Sequence, residues 1–147
     1  EAIGQEGRQP DFGPPRLHPT AGATVVGARM PLIAFNVNLG TDRKEVADHI
    51  ARCVRERNGG FRNVKAMGVV LEERRQVQVS MNLENYVETP IYRVLETIRR
   101  EAARFGVPVV GTEIVGLVPQ QALLDAAAWY LQLESFAVQQ VLENRLR

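Results

Sequence analysis

Apolar and polar residues alternate in the short segment Ile33–Leu39, which reads IAFNVNL. Because successive side chains of a strand point to opposite faces, this alternation predicts a β-strand with one apolar face. The other face carries Asn36 and Asn38. Asparagine is disfavoured in strands, since its side chain competes for backbone hydrogen bonds. Two asparagines at alternate positions therefore indicate a face that contacts either water or a polar ligand.

Three later segments show the same alternation. Residues 64–72 and 75–83 flank a short polar connection and predict a β-hairpin, and residues 108–119 predict a fourth strand that Pro119 ends. The polar residues that share one face of the second hairpin strand are Gln78, Ser80 and Asn82. The pattern of the first strand thus returns in the third.

A helical period replaces the alternation between the strands. One apolar stripe runs from Val46 to Val54 and predicts a first helix; it includes Cys53, which we expect in the core. Thr41 is the expected N-cap of this helix, and the Asn-Gly-Gly of 58–60 is its expected end.

Further helices are predicted in the second half of the chain. An apolar stripe from Ile91 to Phe105 follows an expected N-cap at Thr89. Residues 121–133 predict another helix, and residues 136–146 a last amphipathic one.

The element order is β-α-β-β-α-β followed by helices, which is the split βαβ arrangement. We predict an α+β, ferredoxin-like fold: a four-stranded antiparallel sheet with helices on one face, plus extra C-terminal helices. The apolar side chains of each strand face those helices, so the polar ones gather on the open face. These are Asn36, Asn38, Gln78, Ser80, Asn82 and Glu113. Short amides and a hydroxyl lose little entropy on ordering and suit a ligand rich in amides, although solvent exposure would produce the same pattern.

Composition narrows the class of protein. The chain is 45% hydrophobic and 24% charged, as expected for one globular domain, and its net charge of +1 argues against nucleic acid as a partner. We expect a cytoplasmic protein without membrane contact, because no targeting segment or long apolar run is present and the single Cys53 cannot form an internal disulfide. No Cys/His cluster has zinc spacing, so no metal site is predicted. The opening residues lack periodicity, and we expect the chain to be part of a longer protein.

Residues 10–19 hold four prolines and a glycine, which predicts a stiff extended loop. We therefore divide the chain into a connecting segment, 1–28, that contains this loop, and a folded subdomain, 29–147.

Several ordered blocks of the sequence are characteristic of one family. They are PDFGP, GATVVGAR, LIAFNVNLGT, VKAMGVVLE, QVSMNL, EIVGLVPQQALLDAA and a closing YL. In order and spacing they resemble the C-terminal half of the formiminotransferase domain in the glutamate formimidoyltransferase and formiminotransferase-cyclodeaminase family. The resemblance covers residues 10–142.

The resemblance implies an enzyme of histidine breakdown and one-carbon metabolism. Members transfer the formimino group of N-formimino-L-glutamate to tetrahydrofolate, which is a co-substrate. Their domain consists of two similar halves whose sheets face each other around a substrate tunnel, so this chain would need an N-terminal subdomain as partner. A homodimer and a following cyclodeaminase domain remain open.

The resemblance also implies the binding residues. The folate-contact segment matches the loop made of Gly13, Pro14, Pro15, Arg16, Leu17, His18, Pro19, Thr20, Ala21 and Gly22. Of these, Arg16, Leu17 and His18 depart from some members, which leaves their individual roles open. The polar sheet face, with Asn36, Asn38, Ser80, Asn82 and Glu113, would be a tunnel wall. Arg29 either pairs with a glutamate carboxylate or is a surface residue.

No catalytic residue is expected in this chain. The family's catalytic histidine belongs to the N-terminal half, in a motif absent here, and His49 is predicted at the surface of the first helix. His18 is at best a loop contact. The chain alone should therefore be inactive. The alternative reading is a ferredoxin-like regulatory or structural module that binds a small molecule; an RNA-binding sheet would carry aromatic residues on its open face.

Overall fold

The computed structural model describes residues 9–146. Its strands are β1 Ile33–Leu39, β2 Val64–Leu71, β3 Gln76–Leu83 and β4 Val109–Val115, and its α-helices are α1 Lys44–Val54, α2 Ile91–Arg104 and α3 Gln120–Tyr130. The sheet order is β2-β3-β1-β4, and each neighbouring pair is antiparallel. The predicted α+β, ferredoxin-like arrangement is confirmed.

Both crossover helices cover one face of the sheet. Ile33, Val37 and Val79 point into the same core as Ile50 of α1 and Ile98 of α2, and all five side chains are fully buried. The apolar half of each strand alternation thus drives the packing, and the polar half is left on the opposite face. The third helix packs against α2, with Ala122 buried.

Helix α1 approaches β2 closely at Gly68. A Cβ atom added at this glycine would lie 2.8 Å from the backbone nitrogen of Asp48, closer than carbon and nitrogen pack. The missing side chain therefore sets the distance between the helix and the sheet.

The expected N-caps of α1 and α2 are wrong. Thr41 does not cap α1, which begins at Lys44, because its carbonyl accepts a hydrogen bond from the Val77 amide at 2.8 Å and holds this residue at the end of the sheet. Thr89 precedes α2 but donates its hydroxyl to the carbonyl oxygen of Arg62 at 2.7 Å, so it ties two loops together.

The last predicted helix is also wrong. Residues 136–146 form two short 3₁₀ turns, Val138–Gln140 and Leu142–Asn144. Leu142 and Leu146 are 66% and 76% exposed, so the C-terminal end of the apolar stripe stays unpacked in the described chain, while Phe136, Val138 and Val141 are half-buried. A segment of this length is a marginal helix without such packing.

Candidate functional site on the open sheet face

The sheet register brings the predicted polar residues together on the face that the helices leave open. Asn36 lies between Ser80 on one neighbouring strand and Glu113 on the other, and Asn38 lies opposite Gln78. Asn82 continues the same row of β3. The strand alternation read from the sequence therefore placed these side chains on the correct surface.

Two hydrogen bonds link these side chains across strands. Gln78 donates from Nε2 to Asn38 Oδ1 at 2.8 Å, and both residues are buried, at 6% and 9% exposure. Asn36 donates from Nδ2 to a Glu113 carboxylate oxygen at 3.3 Å, nearer the surface. The first pair is a fixed structural element, whereas the second is long and solvent-accessible enough to exchange partners.

The outward row of β2 extends this surface. Lys65 pairs in register with Asn82, and Met67 with Ser80. These four residues line a shallow cavity of about 160 Å³. We had not assigned Lys65 and Met67 to the site, although the alternation in residues 64–71 carries the signal.

A larger cavity of about 520 Å³ lies where the face meets the turn between β2 and β3. It is lined by Gln78 and Glu113 together with Glu72, Glu73 and Arg74 of the turn. Amide, carboxylate and guanidinium groups converge there, which gives a ligand both donors and acceptors.

Exposed apolar side chains border the polar groups. Met67 is 61% exposed and Val115 52%, and Leu117, just beyond β4, is 96% exposed. A sheet face that mixes short amides with exposed aliphatic groups is typical of a surface covered by another layer of protein or by a ligand.

The Pro-rich loop forms a second, separate feature. All residues from 11 to 31 are exposed, so the segment projects from the domain and contacts it only near its end, at Arg29, among the contacts of the described residues. A cavity of about 540 Å³ lies within the loop itself, lined among others by Phe12, Arg16 and Leu17. The structure therefore brings the predicted loop residues together with one another, but not with those of the sheet face.

His18 has a defined role inside this loop. Its Nδ1 accepts hydrogen bonds from the backbone amides of Thr20 at 3.3 Å and Ala21 at 3.1 Å. The backbone of His18 also pairs with that of Gly22, which adopts a φ of +67° that favours glycine. The imidazole thus closes the turn that shapes the cavity wall.

Two cations meet one carboxylate where the extended segment joins the sheet. Lys65 Nζ lies 2.7 Å and Arg29 Nη1 3.4 Å from Glu84 Oε1. Both cations remain largely exposed, at 71% and 60% of their side chains. Because one carboxylate serves two cations, this corner keeps positive charge for an anionic ligand.

A cavity of about 870 Å³ lies away from this face. It lies between α2 and α3, where Tyr130 donates to Glu96 at 2.8 Å and Arg99 bonds the same carboxylate at 2.6 Å. The hydrogen bond from Tyr130 lowers the pKa of Glu96. The pKa of Tyr130 is raised, chiefly because the hydroxyl is partly buried and secondly because it donates to the Glu96 carboxylate. Tyr130, Glu96 and Arg99 thus bond one another in this cavity, and none of the residues predicted for the site lines it, so we place the functional site on the sheet face instead.

Neither histidine of the chain lies on that face. His18 is in the extended loop, and His49 is on α1, on the helix side of the sheet. Cys53 is half-buried on α1 rather than in the core as we expected. Burial and the charge of Glu101 raise the pKa of its thiol, so it is not an activated nucleophile.

Within residues 9–146, no helix combines the length and apolar character needed to cross a bilayer.

Comparison with known proteins identifies relatives along nearly the whole chain. The family model described as "Formiminotransferase domain" matches residues 34–146. The chain is 51% identical over 147 residues to "Glutamate formimidoyltransferase" of Streptococcus pyogenes serotype M1, covering 99% of this chain and 49% of that protein. It is 50% identical over 146 residues to the protein of the same name from Thermoplasma acidophilum, covering 99% and 48%.

A longer relative matches as well. The chain is 46% identical over 144 residues to "Formimidoyltransferase-cyclodeaminase" of Mus musculus, with 94% of this chain and 26% of that protein covered. The chain therefore spans about half the length of the first two relatives and about a quarter of the third.

Proposed function

The chain belongs to the formiminotransferase domain family, and on this premise we propose that it is the C-terminal half of a glutamate formimidoyltransferase. In this proposal it contributes one wall of a tunnel in which the formimino group of N-formimino-L-glutamate passes to tetrahydrofolate. The observation that carries the proposal is the open sheet face, on which Asn36, Ser80, Asn82 and Glu113 meet in register.

The architecture supports the proposal that a second half supplies the other wall. The helices cover one face only, and Met67 and Val115 stay exposed on the other. A similar half with its own polar sheet face would cover these aliphatic groups and enclose the amides. The length of the relatives supports this partner, since about half of each formimidoyltransferase lies outside the match.

The Pro-rich loop is proposed to clasp the folate. Its prolines and the turn closed by His18 fix the backbone before binding, so little conformational entropy remains to be lost when a ligand enters. Phe12 is 95% exposed and offers a ring face to a flat heterocycle. Lys65 and Arg29 are suitably placed to bind a glutamate carboxylate of the ligand. On binding, they would exchange their ion pairs with Glu84 for ion pairs with the ligand.

In this proposal the chain binds and orients substrates but moves no proton. A general acid–base group for the transfer needs a pKa near neutrality, and neither histidine lies on the sheet face. We therefore propose that the other half supplies the catalytic group and that this chain alone is inactive. We also propose residues 1–28 as the connecting segment between the halves.

Calorimetric titration with 5-formyltetrahydrofolate tests the proposal. The chain is titrated alone and after mixing with the N-terminal half of the Streptococcus pyogenes relative. We expect binding to appear, or to tighten at least tenfold, only with both halves present. Absence of binding in a verified complex of the halves would contradict the proposal and favour a regulatory or structural module.

A pair of variants locates the binding face. Asn82→Leu changes an exposed residue and should weaken folate binding about tenfold or more, because a leucine offers no hydrogen bond to the ligand. Gln121→Leu is the matched control, since Gln121 is an exposed amide on α3, away from the sheet face. Each chain is measured in complex with the N-terminal half. Equal folate affinities of the two variants and the unmodified chain would exclude the sheet face from the binding site.

A further inference from the structure

Three potential metal ligands meet between the two crossover helices, on the opposite side of the sheet from the proposed tunnel wall. His49 and Cys53 lie one turn apart on α1, and Glu101 faces them from α2. Their ligand atoms all lie within 4.8 Å of one another. The cluster was hidden from spacing arguments because its third member is 48 residues away from Cys53 and comes from another helix.

The distances are close to those that a tetrahedral zinc site requires. His49 Nε2 lies 3.8 Å and Cys53 Sγ 3.9 Å from Glu101 Oε2. Zinc bonds of about 2.0–2.3 Å place neighbouring ligand atoms roughly 3.3–3.8 Å apart at tetrahedral angles. Movements of a few tenths of an ångström bring these two edges into that range, whereas the third edge, between His49 and Cys53, lies within 4.8 Å and shortens by up to about 1 Å when the metal binds.

The imidazole nitrogen supplies independent support. His49 Nε2 is buried without a hydrogen-bond partner, since its distance to Glu101 is too long for one. The ring itself is held by edge-to-face packing on Phe105, with centroids 5.1 Å apart. Buried polar atoms are nearly always satisfied, and a metal ion held between this nitrogen, the Cys53 thiol and the Glu101 carboxylate would give His49 Nε2 the partner that it lacks among the described residues.

We propose that His49, Cys53 and Glu101 bind one zinc ion that links α1 to α2, with a water molecule in the fourth position. Imidazole, thiolate and carboxylate are the ligands zinc takes in proteins, and the sulfur disfavours magnesium and calcium. Binding forms one bond to each group and releases the thiol proton to solvent. Arg104, 2.8 Å from Glu101 Oε2, holds the carboxylate in place as an outer partner.

Cobalt titration of the metal-free chain, with any affinity tag removed, tests this site. The sequence contains a single cysteine, so a thiolate-to-cobalt charge-transfer band can arise only from Cys53. We expect this band, tetrahedral cobalt absorption and displacement of one cobalt per chain by zinc. Zinc should also raise the midpoint of thermal unfolding.

Variants separate this site from adventitious binding. Cys53→Ser and His49→Gln should each weaken zinc binding at least tenfold and abolish the thermal shift. Glu143→Gln, an exposed carboxylate in the last 3₁₀ turn, is the control and should leave both unchanged. Circular dichroism verifies that each variant is folded. Absence of the charge-transfer band, or equal zinc affinity in a folded Cys53→Ser chain, would overturn the proposal.

Discussion

The buried hydrogen bond between Asn38 and Gln78 gives a sharp stability prediction. Replacing Asn38 with leucine removes the acceptor and leaves the Gln78 amide in a site that is only 6% exposed. An orphaned buried donor costs about 1–3 kcal/mol, more than the bond itself contributes. We therefore expect Asn38→Leu to lower the free energy of unfolding by about 2 kcal/mol. The new leucine side chain offsets little of this loss, because its neighbours on this face are polar.

A second substitution isolates the cause. When Gln78 is also replaced with leucine, no polar group remains unpaired, and removal of both partners is close to neutral. The double variant should therefore regain most of the loss, a coupling of at least about 1 kcal/mol in a double-mutant cycle. Asn82→Leu, at an exposed position of the same face, should change stability by no more than about 0.5 kcal/mol.

Urea unfolding followed by circular dichroism measures five chains: the parent, Asn38→Leu, Gln78→Leu, the double variant and Asn82→Leu. The midpoint should shift while the dependence of unfolding free energy on urea stays constant, because the exposed surface is unchanged. A single variant as stable as the parent, or a double variant that loses the sum of both single losses, would refute the assignment of this bond as a buried structural pair.

Two further predictions concern the helix layer. Tyr130→Phe removes the hydrogen bond that lowers the pKa of Glu96, so it should cost about 0.5 kcal/mol at pH 7 for this half-exposed pair. A lowered carboxyl pKa stabilises the fold above the unfolded pKa, so the difference from the parent should shrink as pH falls through the lowered pKa of Glu96. A difference that stays constant on acidification in thermal melts would contradict this. Gly68→Ala should lower the free energy of unfolding in urea by about 1–3 kcal/mol, because the new Cβ meets the Asp48 backbone. Gly27→Ala is the control, since open space surrounds that position. Equal stability of these two variants would exclude a close approach of α1 at Gly68.

The sequence predicted those features that depend on local alternation. β1 was placed at its observed bounds, and Glu113 was assigned to the open face before its register with Asn36 was known. Both follow because a strand has a period of two, so one correctly placed apolar residue fixes the direction of all its neighbours.

Features that depend on distant contacts could not be read in this way. Thr41 has the chemistry of an N-cap, but its carbonyl oxygen accepts a hydrogen bond from the backbone amide of Val77 in β3. The stripe of residues 136–146 has helical periodicity, but its last leucines stay exposed in the described chain and the segment forms only 3₁₀ turns. In each case tertiary contacts, or their absence, outweigh a local preference of about 1 kcal/mol.

The open face carries two kinds of polar residue that alternation alone cannot separate. Asn38 and Gln78 satisfy each other in a buried pair, whereas Ser80 and Asn82 line a cavity beside the exposed Met67. The first kind gives the face a fixed shape without any ligand. The second kind presents hydrogen-bonding groups beside exposed aliphatic surface, where a ligand or a covering protein can contact both. A proposed substrate wall built in this way keeps its rigidity and its ligand contacts on different residues, so the two can be altered separately.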